Sequence, residues 1–229
     1  MSFMRRNVAL LFSGGPDSTT LLYDLARDGY FVHALHFNFG EKSTKSVHQI
    51  AEDLSDHVEL HEFNFTQLMQ DFYGSPQPIL MRKGLVINEH PETAEYVQPF
   101  GSAIALMLTA SWAVKNDIRD VYYGVHYNDS HFVDNKKEYF DLLSSVTEAC
   151  EGAGYRVSFH TPYLQLMKSE VIEKGKALGV DYAKTWSCAD NTDVHCGVCP
   201  PCIDRRMSFS IASIDDPVHY LTDAVSTDK

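Results

Sequence analysis

Two groups of residues in this 229-residue chain have the types and spacing to do chemistry. The first is Ser13-Gly14-Gly15-Pro16-Asp17-Ser18-Thr19, which follows the apolar run Leu10-Leu11-Phe12. Glycines let a backbone approach an anion closely, and the N–H groups of such a turn, and of the helix after it, point at the anion. The positive end of that helix adds to the attraction. Ser13, Gly14, Gly15, Asp17, Ser18 and Thr19 are therefore the candidate phosphate-binding residues, and Asp17 can organise the loop or a metal. The loop of kinases and GTPases needs a Lys just before its last hydroxyl residue, and here Asp17 sits in that region instead. The bland alternative is an ordinary strand-to-helix turn with a serine N-cap.

The second group is Cys188, Cys196, Cys199 and Cys202, four of the five cysteines, in a C-x7-C-x2-C-x2-C series. Two residues between thiolates bring both sulfurs onto one centre, and the longer gap lets the chain come round to complete a tetrahedron, as structural zinc prefers. Four thiolates with no open position make a structural site rather than a water-activating one. An iron–sulfur cluster uses the same ligands and is the alternative. Disulfides fit a reducing compartment poorly. His195, beside Cys196, is read as a neighbour of the centre rather than a ligand, and Cys150 as a buried small hydrophobe.

The elements that must position these residues alternate. Residues 8–12, 31–37, 58–63, 121–125 and 156–159 read as strands, and 18–27, 46–54, 101–114, 136–150 and 168–178 as helices. This predicts an α/β fold, a doubly wound, mostly parallel sheet covered on both faces, with a small C-terminal zinc-binding segment. The expected division is 1–185 for the α/β domain, 186–215 for the four-cysteine segment and 216–229 for a tail, frayed from about Val218. Ligands of such sheets bind at the carboxyl ends of the strands, which places the Gly-Gly loop, Asn38-Phe39-Gly40-Glu41 and residues 124–129 on one rim. Residues 74–98, rich in Gly and Pro, read as a long loop or lid.

With 44% hydrophobic residues the chain can bury a full core, and no stretch approaches the roughly 20 apolar residues of a membrane span. No secretory signal is legible, so the expected location is cytoplasmic. Nineteen basic against 31 acidic side chains give a net charge of −12, which repels polyanions and argues against nucleic acid as a direct substrate; Arg205-Arg206 is the best candidate for a local basic patch.

The S-G-G-x-D-S loop resembles that of the ATP pyrophosphatase (PP-loop) superfamily, enzymes that cleave ATP between the α and β phosphates. Together with His36-Phe37-Asn38-Phe39-Gly40, Gly124-Val125, Thr161-Pro162 with Lys168, and Cys188 through Cys202 with Arg205, it makes residues 8–207 resemble the 7-cyano-7-deazaguanine synthase family of queuosine biosynthesis. The resemblance implies adenylation of the carboxylate of 7-carboxy-7-deazaguanine by ATP, displacement of AMP by ammonia, and a second ATP to dehydrate the amide to the nitrile. It implies that Ser13, Gly14, Gly15, Asp17 and Ser18 cradle pyrophosphate, that Asp17 and Lys168 are the catalytic residues, with Lys168 neutralising phosphate charge, that Mg²⁺ bridges the phosphates, and that the chain forms a homodimer. Lys168 could equally be a solvated first residue of a helix.

The chain departs from the family pattern at Pro99-Phe100-Gly101-Ser102, where the family carries Pro-Gly-Arg-Asn, at Asp134-Asn135-Lys136, where it carries Asp-Cys-Arg, and at Glu41-Lys42-Ser43. These changes fall on the substrate rim, so ATP use is better supported than substrate identity. A second function therefore stands beside the first: the activated deazapurine carboxylate passed to an amine of a protein acceptor, as in a family member recruited to an anti-phage operon. A third is a non-catalytic nucleotide-binding module, against which the intact loop speaks.

Overall fold

The alternation of strands and helices folds as a three-layer α/β unit in the computed structural model, which describes residues 5–40, 42–73, 101–129, 134–190 and 192–222. Strands β1 (Asn7–Leu11), β2 (Phe31–Asn38), β3 (Val58–Asn64), β4 (Asp120–Tyr123) and β5 (Ser158–His160) pair in the order β3-β2-β1-β4-β5, every pairing parallel. The helices are α1 (Pro16–Arg27), α2 (Thr44–Asp53), α3 (Thr66–Tyr73), α4 (Gly101–Lys115), α5 (Lys137–Glu151), α6 (Lys168–Leu178) and α7 (Pro200–Ile211). Because side chains alternate along a strand, Val8, Leu10, Val32 and Ala34 pack with Leu21, Leu22 and Leu25 of α1, Val47 and Ile50 of α2 and Val171 of α6. Ala9, Leu35, Phe37 and Val121 point the other way, onto Leu106 and Ala110 of α4 and Phe140 and Leu143 of α5.

The chain builds outward from β1 in one direction through β2 and β3, and then in the other through β4 and β5. Between β1 and β4 the order reverses, and the loops leaving those two strands flank the crevice where such sheets bind ligands. Two glycines make the crevice narrow. Gly14 takes a left-handed φ of +75°, which a side chain would strain, and its Cα faces Val47 of α2. At Gly124, after β4, a Cβ would lie 3.1 Å from Asp17 C, Ser18 Cα and Ser18 N. The backbone after β4 therefore rests directly on the first turn of α1.

Three expectations need correction. Cys150 is exposed: the buried face of α5 runs through Phe140, Leu143, Ser144 and Thr147, and position 150 turns off that face as the helix ends. Arg205 is no surface patch but is fully buried, because Asp216, Thr185 and Tyr182 satisfy its guanidinium. Residues 218–222, expected to fray, are held: Leu221 N–H donates to His195 O at 2.8 Å, and Tyr220 bridges to His195 and donates to Asp216. Helices α3 and α7 were not anticipated. The loop at 74–98, together with Glu41, Pro99 and Phe100, lies outside the described residues. Among the described residues no helix is long and apolar enough to cross a membrane.

Candidate active site and metal centre

The loop after β1 reaches α1 through Gly15, which occupies the N-cap position with Pro16 as the first helical residue, and no side chain caps the helix. The serine N-cap of the bland reading is thus absent. Ser13 Oγ lies 3.1 Å from Ser18 Oγ, and Ser18 Oγ donates to Gly15 O at 3.2 Å, so both hydroxyls stand at the uncapped end. Thr19 is wholly buried and its Oγ1 has no partner. A helix start without a capping oxygen offers its N–H groups and its positive end to an anion.

Beside it stands a charge cluster drawn from three parts of the chain. Lys168, the first residue of α6, is buried rather than solvated, with Nζ 3.2 Å from Asp17 Oδ2 and 2.6 Å from Asp204 Oδ2. Its backbone N–H donates to Asn128 Oδ1 at 2.9 Å, which ties the start of α6 to the segment after β4. From that segment His126, also buried, brings Nε2 to 3.4 Å from Asp129 Oδ2 and 3.7 Å from Asp17 Oδ2. Burial opposes ionisation of Lys168, but Asp17, Asp204 and Asp129 overcome it and hold the ammonium well above the usual lysine range. Burial likewise pushes the Asp17 carboxyl up, and the charges of Lys168 and His126 pull it further down, below its ordinary value. Asp129 stays above its ordinary value because burial outweighs those same partners. Asp17 Oδ1 is buried without a partner. The structure thus brings Ser13, Gly14, Gly15, Asp17, Ser18 and Lys168 to one crevice.

Sequence reasoning missed His126 and Asp204. His126 lay inside the rim segment 124–129, so its place followed from the topology, whereas Asp204 on α7 had no signal. On the rim, Ser102 Oγ donates to Asp134 Oδ2 at 2.8 Å and lies 3.0 Å from Tyr139 Oη; Asn135 Oδ1 is buried without a partner.

The four cysteines converge. Cys188, Cys196, Cys199 and Cys202 are all buried, free of disulfides, with sulfurs within 4.8 Å of one another. The 3.9 Å between Cys199 Sγ and Cys188 Sγ matches the edge of about 3.8 Å expected for a tetrahedral ion bound by thiolates at about 2.3 Å. Backbone N–H groups of Cys196 and Cys199 point at Cys188 Sγ and Cys196 Sγ, both at 3.3 Å, which favours thiolates. The centre can therefore hold zinc. His195 is absent from the cluster: its Nε2 accepts from Ser187 N–H at 3.1 Å, and burial together with the charge of Arg205 lowers its pKa to about 4. The segment leading into Cys188 also reaches the phosphate loop, since Trp186 N–H donates to Gly14 O at 2.9 Å.

The pattern described as "Queuosine biosynthesis protein QueC" matches residues 7–213, which include both the loop and the cysteines. The 7-cyano-7-deazaguanine synthase of Rickettsia felis is 31% identical over 225 residues, covering 94% of this chain and 100% of that protein. The enzyme of the same name from Methanoculleus marisnigri is 32% identical over 225 residues, covering 95% and 99%. Among solved structures, NMN synthetase from Francisella tularensis is similar with a TM-score of 0.52 at 15% identity, over 92% of this chain and 78% of that one. NH3-dependent NAD synthetase from Campylobacter jejuni is similar with a TM-score of 0.50 at 18% identity, over 79% and 67%. At these identities the solved structures show the shared fold alone. Matched from the strand before its phosphate loop through the helix that carries its last cysteine, and aligned over 94–95% of its length with named synthases, the chain belongs to the QueC family of queuosine biosynthesis proteins.

Proposed function

We propose that the chain is a carbon–nitrogen ligase that adenylates the carboxylate of 7-carboxy-7-deazaguanine and, with ammonia, converts it to the amide and then to the nitrile. The observation that supports this most is the ion pair of buried Lys168 with the partly buried Asp17, set against the uncapped start of α1. A carboxylate is a poor electrophile, and its oxygen must become part of a good leaving group before an amine can displace it. One carboxylate oxygen attacks the α-phosphorus of ATP, pyrophosphate leaves, and ammonia then expels AMP carrying that oxygen. The amide oxygen attacks the α-phosphorus of a second ATP, pyrophosphate again leaves, and loss of both N–H protons together with AMP leaves the nitrile.

The protein's part is positioning and charge neutralisation. Backbone N–H groups of Gly14, Gly15 and the first turn of α1, with Ser13 and Ser18 Oγ, hold the departing pyrophosphate. Lys168, kept ionised by three carboxylates, offsets its growing charge. Asp17 Oδ1, buried and unpartnered, fits a ligand to Mg²⁺ carried in with the triphosphate, where the ion would screen the phosphate oxygens. Asp17 and Asp204 fix the Lys168 ammonium when no nucleotide is bound, and His126 faces Asp17 and Asp129. Zinc on the four cysteines is structural and holds the segment whose Trp186 N–H braces Gly14.

The test is turnover of 7-carboxy-7-deazaguanine with ATP, Mg²⁺ and ammonium, followed by chromatography of nucleotides and mass spectrometry of the deazapurine. AMP, pyrophosphate and nitrile are expected. ADP and phosphate would overturn the adenylation chemistry; AMP without amide or nitrile, and a partner protein heavier by the acyl group, would move the acceptor from ammonia to a protein amine.

A further inference from the structure

We propose that His33, Glu59 and His61 form a second metal site, separate from the four cysteines and the phosphate loop, that takes a divalent late first-row transition ion with zinc as its occupant. His33 of β2 and Glu59 of β3 are register partners, and His61 lies two residues on from Glu59, so all three side chains leave the same face of the sheet. They lie on the edge strand and its neighbour, and His33 stands in the amino-terminal half of β2, away from the rim that carries the loop.

The donor atoms are already spaced for an ion. His33 Nδ1 lies 3.1 Å from His61 Nε2 and 3.4 Å from Glu59 Oε2, and His61 Nε2 lies 3.9 Å from Glu59 Oε2. A tetrahedral ion bound by nitrogen and oxygen at about 2.0–2.1 Å requires donors about 3.3–3.4 Å apart, so small rotations place all three on one centre. Trp112 of α4 limits larger ones: its ring stands 4.5 Å from that of His61 and 5.3 Å from that of His33. Two imidazoles and a carboxylate suit zinc and its neighbours rather than Mg²⁺ or Ca²⁺. Burial lowers the basicity of both rings, which keeps them in the neutral form that ligates. Glu59, with a side chain 56% exposed, leaves the donors open to solvent. Three protein ligands leave a fourth position for water, so the ion should exchange more readily than one enclosed by four thiolates.

Untagged protein, equilibrated with zinc and freed of unbound metal, tests this by elemental analysis. Wild type should carry about two zinc ions per chain, and Glu59→Gln about one, since only the three-donor site loses a ligand. Titration with Co²⁺ should quench tryptophan fluorescence through Trp112, with the quenching phase weakened about tenfold or more in Glu59→Gln and in His61→Gln. Glu59 lies at the surface, so its variant keeps the fold, which circular dichroism checks. Equal metal content and equal quenching in wild type and Glu59→Gln would overturn the proposal. The cysteine centre is present in every sample and serves as the internal reference.

Discussion

Replacing Gly124 by alanine tests the way the two loops are held against each other. The new methyl carbon would meet Asp17 C, Ser18 Cα and Ser18 N at 3.1 Å, about 0.4 Å inside the comfortable carbon contact of about 3.5 Å. All three are backbone atoms of the first turn of α1, so no rotamer change relieves the clash; the turn itself must retreat. Overpacking of this kind costs about 1–3 kcal/mol. For a chain of this size each kcal/mol lowers Tm by about 2–4 °C, giving a fall of about 2–12 °C by calorimetry or circular dichroism. The retreating turn carries the N–H groups offered to pyrophosphate. A misplacement of 1 Å costs on the order of 100-fold in rate, so a few tenths should cost about three- to tenfold in kcat/KM for ATP, followed as pyrophosphate release. Gly154→Ala, where nothing lies within 4 Å of the added carbon, is the control and should leave kcat/KM unchanged. A Gly124→Ala protein with wild-type Tm and wild-type kcat/KM would refute the claim that these backbones touch.

Three further outcomes follow from the same geometry. Lys168→Met leaves the partly buried Asp17 without its nearest cation; turnover should vanish and stability fall by about 3 kcal/mol, read as a drop in the urea midpoint. Because Asp17 is held below the usual 3.8, it contributes stability present above that value and lost as pH falls through its lower folded value; the urea midpoint should therefore fall more steeply below about pH 4 in wild type than in Lys168→Met. Removing zinc with a chelator, or by Cys202→Ser, should lower Tm and shift the Trp186 emission, because binding free energy of a structural ion is folding free energy. Through the Trp186–Gly14 bond the same change should raise KM for ATP about tenfold.

Much of this architecture was legible in the sequence because its signals are local. Alternating apolar runs and 3.6-residue periodicity mark β1, α1 and β2, and the carboxyl-end rule places the loop and residues 124–129 near one another, whereas Lys168 joined them only through the family resemblance. What was not legible depends on partners distant in sequence. Helix α7, which was not expected, starts at Pro200-Pro201, and proline is at home in the first turn of a helix. Arg205 beside Arg206 reads as surface charge until Asp216 folds back to meet it. Asp204 becomes a partner of Lys168 only because the cysteine knot swings α7 onto the start of α6. The His33–Glu59–His61 group is invisible without the register that sets β2 beside β3.

The central claim is that this crevice turns a carboxylate oxygen into the oxygen of AMP. Supplying 7-carboxy-7-deazaguanine with both carboxylate oxygens isotopically heavy, together with ATP, Mg²⁺ and ammonium, follows those atoms directly by mass spectrometry. The account predicts that both heavy oxygens leave the deazapurine one at a time, each in a separate AMP, and that the product is a nitrile. Unlabelled AMP, or ADP with labelled phosphate, would contradict it.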